Sequence, residues 1–202
     1  MAGKNRRLGS MSKASRRNRL AAGFALALLW VGPALSAECD TVAFPDTTGT
    51  NLVLNGLGLR KATFLAIRVY VAGLYLPQKS SDPGQILATQ QPWQIVLHFV
   101  RDVDASDIRG AFAEGFEKSA GDKLAALQPR IATLTEAIQD LKKGETLSFV
   151  NDPAKGITAD MNGKSGDPIQ GADFATALLA IWLGPEPPNA DLKSGLLGGA
   201  CE

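Results

Sequence analysis

Between Asn51 and Leu76 the chain reads NLVLNGLGLRKATFLAIRVYVAGLYL, a stretch dense in Leu, Val, Ile and aromatic side chains. The part from Thr63 to Leu76 has no proline and a single glycine. It is β-branched or aromatic at Thr63, Phe64, Ile67, Val69, Tyr70, Val71 and Tyr75, which predicts one long strand. Leu52–Arg60 predicts the strand before it, softened by Asn55-Gly56 and Gly58, so the two form an antiparallel pair with one face on a core. Arg60, Lys61 and Arg68 are the awkward members. Side chains alternate along a strand, so Arg68, Tyr70, Ala72, Leu74 and Leu76 are expected on one face and Val69, Val71, Gly73 and Tyr75 on the other. Arg60 then reads in two ways. It is a solvated strand-end charge beside a core Tyr70, or the two form a corner that binds an anion or a carbonyl.

Bulk charge narrows the partners. The formal net charge of +1 is misleading, because residues 1–37 hold Lys4, Arg6, Arg7, Lys13, Arg16, Arg17 and Arg19 and no acid. Taking those seven from the 21 basic residues leaves 14 against 20 acidic ones, a net of −6. A chain so charged, without a basic run, is poorly suited to binding nucleic acid or an anionic membrane. There is one histidine, His98, inside the apolar run Ile95–Val100. It reads as a strand residue, and any site needing two histidines is excluded. No metal and no cofactor is expected, since the two cysteines, Cys39 and Cys201, lie near the chain ends.

The first 37 residues have the layout of an export signal: a basic region to Arg19, an apolar run from Leu20 to Leu35, and small residues at Ser36 and Ala37 that place cleavage after Ala37. The apolar run is short for a membrane span. Arg16-Arg17 admits twin-arginine export, which is less favoured because Arg19 stands where an apolar residue is usual. The expected product is a periplasmic or secreted domain of residues 38–202 with no stable membrane span. That compartment permits disulfides. Domain termini often lie close together, so a Cys39–Cys201 bridge is expected, against the alternative of two unpaired cysteines in frayed ends.

Beyond the central pair, Gln85–Thr89 predicts a helical turn and Trp93–Arg101 a strand. A helix follows, with Asp104 at its N-cap and Ile108, Ala111, Phe112, Gly115, Phe116 and Ser119 on one face. Leu124, Leu127, Ile131, Leu134, Ile138 and Leu141 predict a second amphipathic helix, broken or started at Pro129 and ended by Gly144. Thr146–Val150 and Gly156–Met161 predict strands, and Asn162-Gly163 a hairpin turn into a short third one. Gly171–Leu183 predicts a helix with Phe174, Leu178, Leu179 and Trp182 inward, stopped by Gly184-Pro185-Glu186-Pro187-Pro188. Strands, helices, strands, helix is an α+β order: an antiparallel sheet with helices packed on one face.

Leu54–Arg60, LNGLGLR, resembles the L-G-G-x-G-x-R that opens chalcone isomerase domains, and Val69–Leu76, VYVAGLYL, resembles the strand after it. The strand Gln94–Val100 followed by a helix, the turn Lys143-Gly144-Glu145 and the segment Ile181–Gly198 fall in the same order. The resemblance spans Asn51–Gly198 and is strongest to the secreted bacterial chalcone-isomerase-like branch. It implies an open-faced β-sandwich with a ligand cleft between sheet and helices.

Chalcone isomerases close a flavanone ring by adding a phenolate to an enone, using an arginine together with tyrosine, threonine, lysine and asparagine. The resemblance puts that arginine on Arg60. The threonine position falls on or near Tyr70, the lysine region near His98–Arg101 with Arg101 able to supply the charge, and a late hydroxyl near Ala175-Thr176. Where the family has its tyrosine and asparagine, around Asp107–Phe116, this chain has neither. The phenol that would polarise a ketone has no evident counterpart. The expected partner is therefore a small hydrophobic or amphiphilic ligand, with Arg60, Tyr70, Arg101 and Thr176 as binding residues. An arginine can pair with a carboxylate through two hydrogen bonds, and non-catalytic relatives of this fold bind fatty acids with an arginine and a tyrosine. Fatty-acid binding is the first expectation. The alternatives are an isomerase (intramolecular lyase) acting on an enone or phenolic substrate, and an interaction domain with no small ligand.

Overall fold

The computed structural model describes residues 36–63 and 65–202. The expected export signal, apart from Ser36 and Ala37, lies outside the described residues, as does Phe64. The chain opens with a hairpin of β1 (Ser36–Cys39) and β2 (Val42–Pro45). A six-stranded sheet follows: β3 (Val53–Ala62), β4 (Ile67–Leu76), β5 (Trp93–Phe99), β6 (Thr146–Asp152), β7 (Gly156–Met161) and β8 (Lys164–Ser165). The strands stand in sequence order and every neighbouring pair is antiparallel. The helices are α1 (Pro83–Ala88), α2 (Ala105–Ala120), α3 (Leu124–Glu136), α4 (Ala172–Leu183) and α5 (Ala190–Leu196). The α+β architecture expected from the sequence is the one observed.

Alternation sorts the sheet into two faces. Ala72, Leu74, Leu76, Ile95, Leu97, Phe99, Leu147 and Phe149 meet Phe112, Phe116, Leu127, Leu178 and Trp182 from the helices in the main core. On the opposite face Leu57, Leu59, Val71 and Tyr75 pack with Cys39 and Phe44 of the β1–β2 hairpin in a second, smaller core. Gly73 lets this hairpin lie flat, since a Cβ there would stand 2.7 Å from the Phe44 ring. The expected bridge between Cys39 and Cys201 is present. His98 sits on β5, paired with Val71 and Thr146, and partial burial lowers its pKa below the usual histidine value.

Three differences from the sequence reading have identifiable physical causes. The strand predicted to start at Thr63 starts at Ile67. The chain reverses just before it, with Thr63 and Ala66 at positive φ (60° and 52°). Such values put the backbone in the left-handed region, where a strand cannot continue. Next, α3 runs through Pro129 and stops at Glu136. Ile138 and Leu141 are buried from the segment beyond it, where Leu141 and Val103 exchange backbone hydrogen bonds of 2.8 and 3.0 Å. Gly144, at φ 91°, consequently turns the chain into β6 and does not end the helix. Lastly, the β3–β4 register jumps from Arg60↔Tyr70 to Lys61↔Arg68, which makes Val69 the extra residue of a bulge. One extra residue reverses which face the next side chain takes. Arg68 therefore leaves the face of Tyr70 and pairs with Asp40 of the β1–β2 turn.

Helix α5 lies directly on β3 because Gly56 and Gly58 leave no side chain between them. A Cβ on Gly56 would stand 2.1 Å from the Gly195 carbonyl oxygen, and one on Gly58 2.4 Å from that of Leu192. Asn55 is buried and adds hydrogen bonds to both sides. Its amide donates to the carbonyls of Leu196 (2.7 Å) and Ser80 (3.0 Å), and its oxygen accepts from the Ser80 N–H (2.8 Å). Gly58→Ala should push α5 off the strand at a cost of roughly 1–3 kcal/mol. The reading is a lower denaturant midpoint at unchanged slope. An unchanged midpoint would mean that α5 can lift without loss.

Candidate functional site

The bulge at Val69 and the turn through Thr63 and Ala66 lie at one end of β3 and β4. Between sheet and helices at that end lies a cleft of about 420 Å³. Its floor is Val69, Tyr70, Leu97 and Phe99 from the strands. Ile108, Ala111, Phe112 and Gly115 of α2 form one wall, and Ile181 and Trp182 of α4 the other. The segment Glu186–Pro188, between α4 and α5, also lines it beside Arg60. Gly115 allows the close crossing of the two walls, since a Cβ there would stand 2.8 Å from the Ile181 side chain.

Arg60 is held from one side only. Its Nη1 donates to Asn189 Oδ1 (2.9 Å), to the Pro188 carbonyl (3.3 Å) and to the Lys61 carbonyl. Its Nε and Nη2 have no protein acceptor among the described residues. Asn189 is the organiser. It occupies the N-cap of α5, yet its side chain caps no N–H of that helix. Its oxygen instead accepts from Arg60 and from the Lys61 backbone N–H (3.0 Å). Lys193 braces the same loop by donating to the Gly184 carbonyl (2.7 Å). A guanidinium fixed through Nη1, with its Nε–Nη2 edge unpaired, is prepared for a planar, two-oxygen acceptor such as a carboxylate.

Tyr70 lies opposite Arg60 in the strand pairing, on the cleft face. Its oxygen accepts the Trp182 indole N–H at 3.0 Å, and its ring packs on Phe99 with centroids 5.6 Å apart. Burial raises the pKa of the phenol. The Trp182 hydrogen bond and the Arg60 charge pull it down without overcoming that effect. The phenol thus stays protonated at neutral pH, and its O–H has no acceptor among the described residues. It is a neutral donor beside a fixed cation.

Arg101 also lines the cleft, exposed, with its Nε donating to the Asp102 carbonyl at 3.3 Å. Thr176 is not brought there. Six residues before Trp182 on α4, it is rotated to another face of the helix and lines a separate hollow of about 40 Å³ with Ile86, Trp93 and Asn151. The cleft rim carries Lys118 and Glu114, paired at 2.5 Å. That hydrogen bond, reinforced by their opposite charges, lowers the carboxyl and raises the ammonium pKa. Among the described residues no group of His, Cys, Asp or Glu is gathered as a metal site.

The sequence profile of the family described as chalcone isomerase-like matches residues 36–198. The chain belongs to the chalcone isomerase-like family. Among solved structures it resembles a fatty-acid binding protein of Arabidopsis thaliana. The TM-score is 0.65 at 18% identity, over 81% of this chain and 96% of that one. At that identity the likeness concerns the fold. No curated protein matches the sequence.

Arg60 and Tyr70, named from the sequence, both line the cleft, whereas Asn189 and the hydrogen bond from Trp182 have no place in the sequence reading. Asn189 lies between the proline-rich stop of α4 and the short segment ADLKSGL of mixed polarity, where no local pattern marks it. Trp182 falls on the apolar face of α4 and reads as core. The only hint was chemical: a buried indole N–H needs a partner, and Tyr70 is one of just two tyrosines.

Proposed function

We propose that this protein binds a fatty acid or a similar amphiphilic carboxylate without transforming it. The carboxylate would sit on the Nε–Nη2 edge of Arg60 with the Tyr70 O–H as a second donor, and the chain along Leu97, Phe99, Ile108, Phe112 and Ile181. The observation that carries this reading is the position of Arg60. It is the one sheet cation facing an otherwise apolar floor, clamped by Asn189 yet unpaired with any acid among the described residues. Arg60 is partly buried, and the partial loss of water around a cation is offset when an anion pairs with it; a ligand carboxylate supplies that anion. Pockets of this size with a few convergent polar groups suit small ligands. The Arabidopsis protein of like fold, described as a fatty-acid binding protein, is consistent with it.

Export to the periplasm is part of the proposal, supported by the signal-like first 37 residues and by the Cys39–Cys201 bridge. Cleavage after Ala37 would shorten β1 and leave Cys39 in place.

The test is native mass spectrometry of the purified protein, followed by lipid extraction and titration with an added long-chain fatty acid. A bound or bindable fatty acid at one per chain is the expected result. A protein that is purified empty and takes up no added fatty acid would overturn the reading, and turnover of enone substrates would then be the next assay.

A further inference from the structure

The β3–β4 hairpin has a stem and a tip of different character. The stem lines the cleft through Arg60, Ala62, Val69 and Tyr70. The tip carries Leu65, 66% exposed, and Ile67, 36% exposed, the only large apolar side chains exposed among the described residues. The chain turns here through two non-glycine residues at positive φ, Thr63 and Ala66, closed by a 3.1 Å hydrogen bond from the Ala66 N–H to the Thr63 carbonyl. Strain of this kind costs free energy, and an apolar Leu65 in water returns none of it, since it packs in neither core.

The charge around the tip is equally out of character. From Val53 to Leu76 there is no acidic residue, and there are three cations, Arg60, Lys61 and Arg68. The rest of residues 38–202 holds 11 basic residues against 20 acidic ones. Arg68 meets Asp40 yet keeps its side chain 61% exposed, and Lys61 has no ion pair among the described residues. Exposed aliphatic side chains flanked by Lys61 and Arg68, on an otherwise acidic protein, match the layered chemistry of an anionic bilayer surface.

We propose that the β3–β4 tip docks on a bilayer with anionic headgroups, with Leu65 and Ile67 entering the headgroup boundary and Lys61 and Arg68 facing the phosphates. The Arg60–Ala62 end of the cleft adjoins that tip. Docking would let an amphiphile pass between membrane and cleft without crossing water. The transfer role rests on the fatty-acid reading above; the docking itself does not.

Vesicle co-sedimentation tests it, with phosphatidylcholine vesicles containing phosphatidylglycerol against phosphatidylcholine alone. The protein should sediment with the anionic vesicles, less so as salt rises. Leu65→Ser with Ile67→Ser should weaken partitioning at least about tenfold, and Lys61→Gln about fivefold at low salt. Leu65 and Ile67 are exposed, so the double serine variant should keep the wild-type melting temperature. Binding of a free fatty acid is read separately in vesicle-free buffer. If the wild type fails that assay yet sediments with vesicles, the ligand reading falls and docking stands. No sedimentation of the wild type, or equal sedimentation of the double serine variant, overturns docking. So does a tip-dependent protein partner in the absence of vesicle binding.

Discussion

Arg60→Ala is expected to weaken the binding of a long-chain fatty acid by roughly 10- to 100-fold, the range for losing hydrogen bonds to a charged group. Tryptophan fluorescence should report it, since Trp182 lines the cleft. Two comparisons separate loss of the headgroup contact from general damage. The methyl ester of the same fatty acid lacks the carboxylate, so the wild type should prefer the free acid and the variant should bind both alike. Asn189→Ala leaves the guanidinium in place but removes its 2.9 Å anchor. It should erode the preference for the acid partially, by about severalfold, because positioning is lost and charge is kept. Tyr70→Phe should cost less still on the ligand side, while leaving the Trp182 N–H without its acceptor. If Arg60→Ala binds as well as the wild type, the carboxylate lies elsewhere, with exposed Arg101 or Lys118 as the remaining cleft cations.

How far the sequence revealed this site depends on the range of each interaction. Alternation along β3 and β4 is a local rule, so the helix-facing side of Tyr70, Ala72, Leu74 and Leu76 was legible from spacing. Arg68 was misplaced because a single bulge residue, Val69, resets that rule, and nothing in V-Y-V marks which residue will be extra. The start of β4 failed for a related reason. Thr63 and Ala66 have poor turn chemistry, and their left-handed backbone is imposed by the strands they join. Helix α3 shows the converse: Pro129 announces a break, and packing of Leu127, Ile131 and Leu134 overrides it. The clamp on Arg60 comes from Asn189, 129 residues away. Contacts at that separation have no periodicity to betray them. The family resemblance reached Arg60 because its flanking glycines have a local signature, and stopped there. Those glycines themselves became intelligible only with α5 in place, pressed against Gly56 and Gly58.

Removing the Cys39–Cys201 bridge, by reduction or by Cys39→Ser with Cys201→Ser, is expected to lower unfolding stability by about 4 kcal/mol. The bridge joins residues 162 apart in sequence, so it closes a loop nearly as long as the domain. Most of its effect then falls on the unfolded chain, whose freedom it restricts. A native contribution is added at the small core. A two-stranded hairpin is at best marginal alone. The β1–β2 hairpin stays on the sheet through Phe44 over Gly73, the Tyr75 hydroxyl donating to the Pro45 carbonyl at 3.0 Å, the Arg68–Asp40 pair and the bridge itself. Burial, with the Asp46 charge adding to it, pushes the Tyr75 phenol up to about 12, which keeps that donor protonated at any ordinary pH. Chemical denaturation with and without reductant reads the difference, and the double serine variant should match the reduced protein. Equal midpoints in all three would show that the hairpin core suffices. A fall near the expected size would remove a large share of the stability of an ordinary domain.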